Sequence, residues 1–129
     1  MADPATDPSV ASGPWLFLFR RSPYSSQAAQ EALDTLLVAA AYDRPVRVLF
    51  LDEAVLQLVA AQTLTSLGLK SQAKRLSQLP LYDVSEIYAS QRSLREYALT
   101  PDELVITLTP LDDAAIHSLI AGSAVVLND

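Results

Sequence analysis

The sequence predicts an α/β fold with a parallel sheet covered on both faces. Two observations carry this. Short, almost unbroken apolar runs (WLFLFR, VRVLFL and LVITLT) read as strands buried on both sides, as parallel strands are. Segments with helical spacing and capping residues lie between them, so strand and helix alternate five times along 129 residues. That alternation implies right-handed crossovers and helices packed against the sheet.

The elements follow in order. Met1 to Pro14 is rich in Pro, Ala, Asp and Ser, and Pro4, Pro8 and Pro14 oppose regular structure. A disordered tail over residues 1–14 is expected, ahead of one domain over residues 15–129. Trp15–Arg20 is the first strand. Arg21 to Ser26 is a loop in which Pro23 breaks the strand and Ser25 or Ser26 can cap the next helix. Gln27 to Tyr42 places Ala28, Ala29, Ala32, Leu33, Leu36, Leu37 and Ala40 on one wide apolar face, and its alanines allow close approach to a sheet. Val46–Leu51 is the second strand, and Asp52 and Glu53 follow it directly.

Ala54 to Ala61 reads as a short apolar helix, Thr63 to Leu69 as a loop, and Lys70 to Leu79 as a helix stopped by Pro80. Glu86–Ala89 is the third strand and Ser90–Tyr97 a helix. Thr100-Pro101-Asp102-Glu103 resembles a capping box with proline at the first helical position, here expected to form a single turn. Leu104–Thr109 is β-branched and reads as the fourth strand. Thr109-Pro110-Leu111-Asp112 is a second capping signal, opening a helix over Leu111 to Ala121 that Gly122 ends. Ala124–Leu127 is the fifth strand.

Composition removes several classes of chemistry. The chain has no cysteine, which excludes disulfides, cysteine zinc sites and thiol or persulfide chemistry on these residues. With His117 the single histidine, a multi-histidine metal site is excluded too, whereas a carboxylate magnesium site is not. The net charge is -6 and the nine basic residues are dispersed, so no footprint for a phosphate backbone forms and no direct nucleic-acid binding is expected. No apolar run approaches the roughly 20 residues of a membrane span. The N-terminus lacks the basic start of a signal peptide, so a cytosolic location and no membrane partner are expected.

The candidate sites are sparse. Gly13, Gly68 and Gly122 form no dinucleotide or phosphate-loop motif. The Arg21–Ser26 loop carries hydroxyls ahead of a helix N-terminus, a position that can take a phosphate or simply cap the helix. Asp52 and Glu53 read as a magnesium or acid/base pair, or as acids favoured by the dipole of the following helix. Ser90 opens a helix after a strand. It is either a nucleophile, which needs a base that only His117 could supply, or an N-cap. His117 sits on the last helix as a partly exposed side chain or a base. Arg20, Arg21, Arg92 and Arg95 are candidates for one end of the sheet. Tyr24, Tyr82, Tyr88 and Tyr97, with Leu79 and Leu81, add apolar surface suited to assembly.

Three ordered stretches resemble the DsrE/DsrF-like family, and within it the TusC/DsrF branch. FLFRRSPYSSQAAQEALDTLLVAAAYD resembles its first strand and helix. VRVLFLDEAVLQL resembles its second-strand segment, with Asp52, Val55, Gln57 and Leu58 in place. LPLYDVSEIYASQRSLREYAL resembles its third-strand segment, with Leu81, Tyr82, Asp83, Ser93, Leu94 and Leu99 in place. The resemblance runs from about Trp15 to the C-terminus. Ala54 and Ala98 stand where the family has glycine, and each position then needs a backbone angle that alanine accepts.

The resemblance implies a three-layer α/β/α domain with a five-stranded parallel sheet. It also implies a non-catalytic subunit, not itself an enzyme and without a cofactor. Such a subunit works with TusD/DsrE-like and TusB/DsrH-like partners, typically as a dimer of heterotrimers. The complex takes persulfide sulfur from a TusA-like carrier toward 2-thiolation of the tRNA wobble uridine; the Dsr counterpart serves sulfite reductase chemistry instead. The family's sulfur-bearing cysteine belongs to the TusD/DsrE-like subunit, and its position falls at or next to Ser90 here. Serine forms no persulfide, so no catalytic or metal residue is assigned. Tyr82, Tyr88, Arg92 and Arg95 become candidate interface residues. The competing reading is a stand-alone domain binding a nucleotide or flavin through the Arg21–Ser26 loop and Asp52.

Overall fold

A computed structural model of the chain describes residues 13–21, 28–59 and 74–128. The expected tail up to residue 12, the loop residues 22–27 with Tyr24, and the Thr63–Leu69 loop lie outside them. The order is β1 (Trp15–Phe19), α1 (Ala28–Ala41), β2 (Val46–Phe50), β3 (Glu86–Ser90), α2 (Gln91–Glu96), β4 (Thr109–Leu111), α3 (Asp113–Ala121) and β5 (Val125–Asn128). Short 3-10 segments lie at Asp52–Leu58, Leu79–Tyr82 and Pro101–Glu103.

The five strands form one parallel sheet in the order β4-β3-β2-β1-β5, the architecture expected from the sequence. Chirality explains the layers. The crossovers β1 to β2, β2 to β3 and β3 to β4 all step in one direction, so right-handed connections place their helical parts on one face. The crossover from β4 to β5 runs back across the sheet, which sends α3 to the opposite face.

The two faces are unequal. Phe17, Phe19, Val48 and Phe50 join Leu33 and Leu36 of α1 in the larger core. Leu16, Leu18 and Leu49 point the other way, against Ile116, Leu119 and Ile120 of α3. Consecutive residues Leu16, Phe17, Leu18 and Phe19 are all buried, which is why β1 reads as an unbroken apolar run rather than an alternating one. The second face rests on one nine-residue helix, none of whose residues is fully buried.

Three expectations need correction. Leu104–Thr109 is not the fourth strand. Leu104 forms an isolated antiparallel bridge with Val59, Val105 N–H donates to the Leu58 carbonyl at 2.8 Å, and Ile106 buries in the larger core. The β-branched side chains there serve burial, and the ladder with β3 begins only at Thr109. Pro110 is therefore no helix-opening proline; it sits in an edge strand, where a missing N–H costs no ladder bond. The cap of α3 is Asp112, whose Oδ1 accepts from Ala115 N–H at 2.8 Å. Finally, the segment after β2 is a 3-10 stretch over Asp52–Leu58, not a helix starting at Ala54. The Thr100–Glu103 capping box forms as expected, with Glu103 accepting from Thr100 N–H at 3.0 Å.

Positive φ is taken by Asp43, Asp52, Asp83 and Ala98 among the described non-glycine residues. Aspartate tolerates this region better than alanine does. Of the two positions where the family has glycine, Ala54 keeps an ordinary φ, while Ala98 has φ 53°. The reason lies in the end of α2. Leu99 N–H donates to the Leu94 carbonyl at 2.9 Å, and Ala98 N–H to the Arg95 carbonyl at 3.0 Å. This is a Schellman ending, whose left-handed residue is usually glycine. Ala98→Gly should therefore raise stability by about 0.5–1 kcal/mol, the strain removed exceeding the backbone entropy that glycine adds. A urea midpoint that stays or falls would refute the strain at this residue.

Candidate functional site

Parallel strands bring their carboxyl ends together, and in open α/β sheets that edge is where ligands and chemistry usually sit. Here the edge collects Arg20 and Arg21 after β1, Asp52 and Glu53 after β2, Ser90 at the end of β3, and Asp112 after β4.

These groups are joined by hydrogen bonds of structural type. Asp52, at φ 54°, donates its backbone N–H to Ser93 Oγ at 2.9 Å. Ser93 N–H in turn donates to Ser90 Oγ at 3.2 Å, so Ser90 is the N-cap of α2. Both serines are buried, at 5% and 3% exposure, which leaves the Ser90 hydroxyl no open approach. Gln57, 2% exposed, donates from Nε2 to the Arg21 carbonyl at 2.9 Å and ties the end of β1 to the segment after β2.

The candidate catalytic groups do not converge. Ser90 is a cap, and His117 is exposed on α3. Asp52 and Glu53 occupy the first turn of the 3-10 segment and are exposed. Among the described residues no three His, Asp or Glu side chains are grouped to hold a metal ion.

The four candidate interface residues run from the 3-10 segment before β3, through β3, onto α2, rather than being gathered in one patch. Tyr82 precedes β3, at the amino end of the sheet, and is 40% exposed beside the exposed Leu81. Tyr88 lies half-buried on the face covered by α3, its hydroxyl donating to Glu86 Oε1 at 3.2 Å, and Arg47 pairs with the same oxygen at 3.1 Å. Burial, then the Glu86 charge and the hydrogen bond to it, hold the Tyr88 phenol above its ordinary pKa, with Arg47 pulling the other way. Arg92 forms an ion pair with Asp113 that clips the start of α2 to the start of α3. Arg95, exposed on the next turn of α2, has no such pair among the described residues. Tyr97 caps the far end of α2, and burial first, then the charges of Glu53, Glu96 and Asp52, raises its pKa.

Ser93 and Gln57 are the site residues that residue-by-residue reading passed over. For Gln57 the signal is a polar side chain inside an otherwise apolar pattern, AVLQL, where a buried amide must find a partner; Ser93, in the polar stretch QRSLRE, carries no such signal.

The model of the DsrE/DsrF-like family matches residues 15–128. The chain is 40% identical over 105 residues to a "Protein TusC homolog" of Pseudomonas aeruginosa, covering 81% of this chain and 88% of that one. A second TusC homolog, from Vibrio vulnificus, is 34% identical over 112 residues, 87% of this chain and 95% of the other. The "Intracellular sulfur oxidation protein DsrF" of Allochromatium vinosum is 40% identical over 91 residues, 70% of this chain and 67% of its own. Among solved structures, the ychN protein from E. coli superposes with a TM-score of 0.76 at 11% identity, over 92% of this chain and all of the other. That likeness speaks to the fold alone.

Proposed function

The chain belongs to the DsrE/DsrF-like family, and from that premise we propose that it is a non-catalytic subunit of a sulfur-relay complex of the TusBCD/DsrEFH type. One observation carries the reading. These 129 residues contain no cysteine at all, and the family resemblance puts the position of the sulfur-bearing subunit's cysteine at or next to Ser90. The Ser90 hydroxyl is buried and committed to capping α2. In this reading the persulfide stays on a TusD/DsrE-like partner, supplied by a TusA-like carrier, while this chain and a TusB/DsrH-like subunit shape the assembly. Residues 15–129 are the assembling unit, preceded by the 1–14 tail, and Tyr82, Tyr88, Arg92 and Arg95 contribute to its contacts. The end use taken here is tRNA wobble-uridine 2-thiolation, with four TusC homologs and one DsrF among the similar proteins. The setting is cytosolic; among the described residues no helix is long and apolar enough to cross a membrane.

The test is co-expression of the tagged chain with TusD/DsrE-like and TusB/DsrH-like subunits from the same genome. The three are expected to co-purify. After treatment with a persulfide donor, intact-mass analysis should show added sulfur on the cysteine-bearing subunit and none on this chain. Purification of the tagged chain alone, or sulfur gained on this chain, would overturn the proposal.

A further inference from the structure

Between α2 and the stretch leading into β4 lies a cavity of about 270 Å³. Its walls are chiefly Leu94, Leu99, Leu104, Ile106 and Leu108, with Arg95 at the rim. The Schellman ending of α2 shapes one wall, because it turns Leu99 back toward Leu94. The stretch over Leu104, Ile106 and Leu108 shapes the other. Those residues leave the sheet and run over its first face, which places Leu104, Ile106 and Leu108 around a gap instead of in a ladder.

The size limits what can enter. Small-molecule pockets span roughly 300–1,000 Å³, so this one is short of a nucleotide or flavin and suited to one large apolar side chain.

Charge limits it further. Arg47, Arg75 and Arg92 are each paired with a carboxylate, to Glu86, Asp34 and Asp113, and Arg44 lies 4.7 Å over the Trp15 ring. The Arg95 guanidinium meets no partner among the described residues, although the chain carries 15 acidic side chains against nine basic ones. An unpaired cation beside an apolar hole is complementary to an apolar anchor with a carboxylate next to it. We propose that this cavity docks a segment of a partner protein in which a large aliphatic or aromatic side chain adjoins Asp or Glu. The anchor fills the cavity and the carboxylate pairs with Arg95. The proposal deepens the subunit reading and rests on it, since it names the chemistry of one contact of that assembly.

The probes are two fluorescein-labelled peptides, a Leu-Phe pair flanked by glutamates and the same pair flanked by lysines, titrated by anisotropy against the full chain. The acidic peptide should bind, the lysine peptide should not, and added salt should weaken the acidic one as its ion pair is screened. Arg95→Glu, an exposed change, should weaken the acidic peptide about tenfold, whereas Arg95→Lys should retain most of the binding. Equal binding of the two peptides, binding of neither, or indifference to Arg95→Glu would overturn the proposal. So would self-association of the wild-type chain that Arg95→Glu abolishes, because a second copy would then be the occupant. No partner subunit is needed in this measurement, so its failure leaves the co-purification result, and the subunit reading, to stand or fall separately.

Discussion

Phe50→Ala is expected to lower the free energy of unfolding by about 3–5 kcal/mol, a large part of the roughly 5–15 kcal/mol that holds a domain of this kind. Phe50 ends β2, between β1 and β3, and is fully buried. Its ring stacks on Phe19 with centroids 5.1 Å apart and planes 15° from parallel. Truncation removes the transfer free energy of the ring and its stacking, and it leaves a void on the first face of the sheet, which the neighbouring strands cannot close because their ladders fix their spacing. Urea denaturation followed by circular dichroism reads the difference. A loss below about 1.5 kcal/mol would mean that the first face can collapse around the gap, contrary to the close packing of this core.

The second large effect is expected at the carboxyl edge. Ser93→Val should cost about 2–3 kcal/mol, because it removes the acceptor for Asp52 N–H and forces a branched apolar side chain into a site only 3% exposed. The backbone at Asp52 is held at φ 54° by that hydrogen bond, so the loop after β2 and the start of α2 should loosen together. Ser90→Ala removes the cap alone and should cost about 1 kcal/mol. The double variant should lose less than the sum, since both serines act on the same turn of α2. Strict additivity would show that the two hydroxyls work independently and that the Asp52–Ser93–Ser90 chain of bonds is not one unit.

The strands β1 and β2 and helix α1 were legible because they are buried by local pattern: two-sided apolar runs for strands, a wide apolar stripe for the helix. Ser90 and Gly122 were legible as a cap and a stop because capping is a local hydrogen-bonding need. Leu104–Thr109 misled, because a β-branched apolar run records burial without recording what it is buried against. Pro110 misled because proline suits both a helix start and an edge strand, and only the position of β4 at the sheet edge separates the two.

Residue identity alone therefore determined the class of fold, the absence of thiol chemistry and the family resemblance, since each depends on composition or on order along the chain. The tertiary structure decided the rest. It put Ser90 under cover, left Ala98 carrying the left-handed turn, paired Arg92 with Asp113 and left Arg95 open beside an apolar cavity. Each of these depends on which distant segments meet. Burial, pairing and cavity shape are properties of contacts between residues far apart in sequence, and no local pattern encodes them.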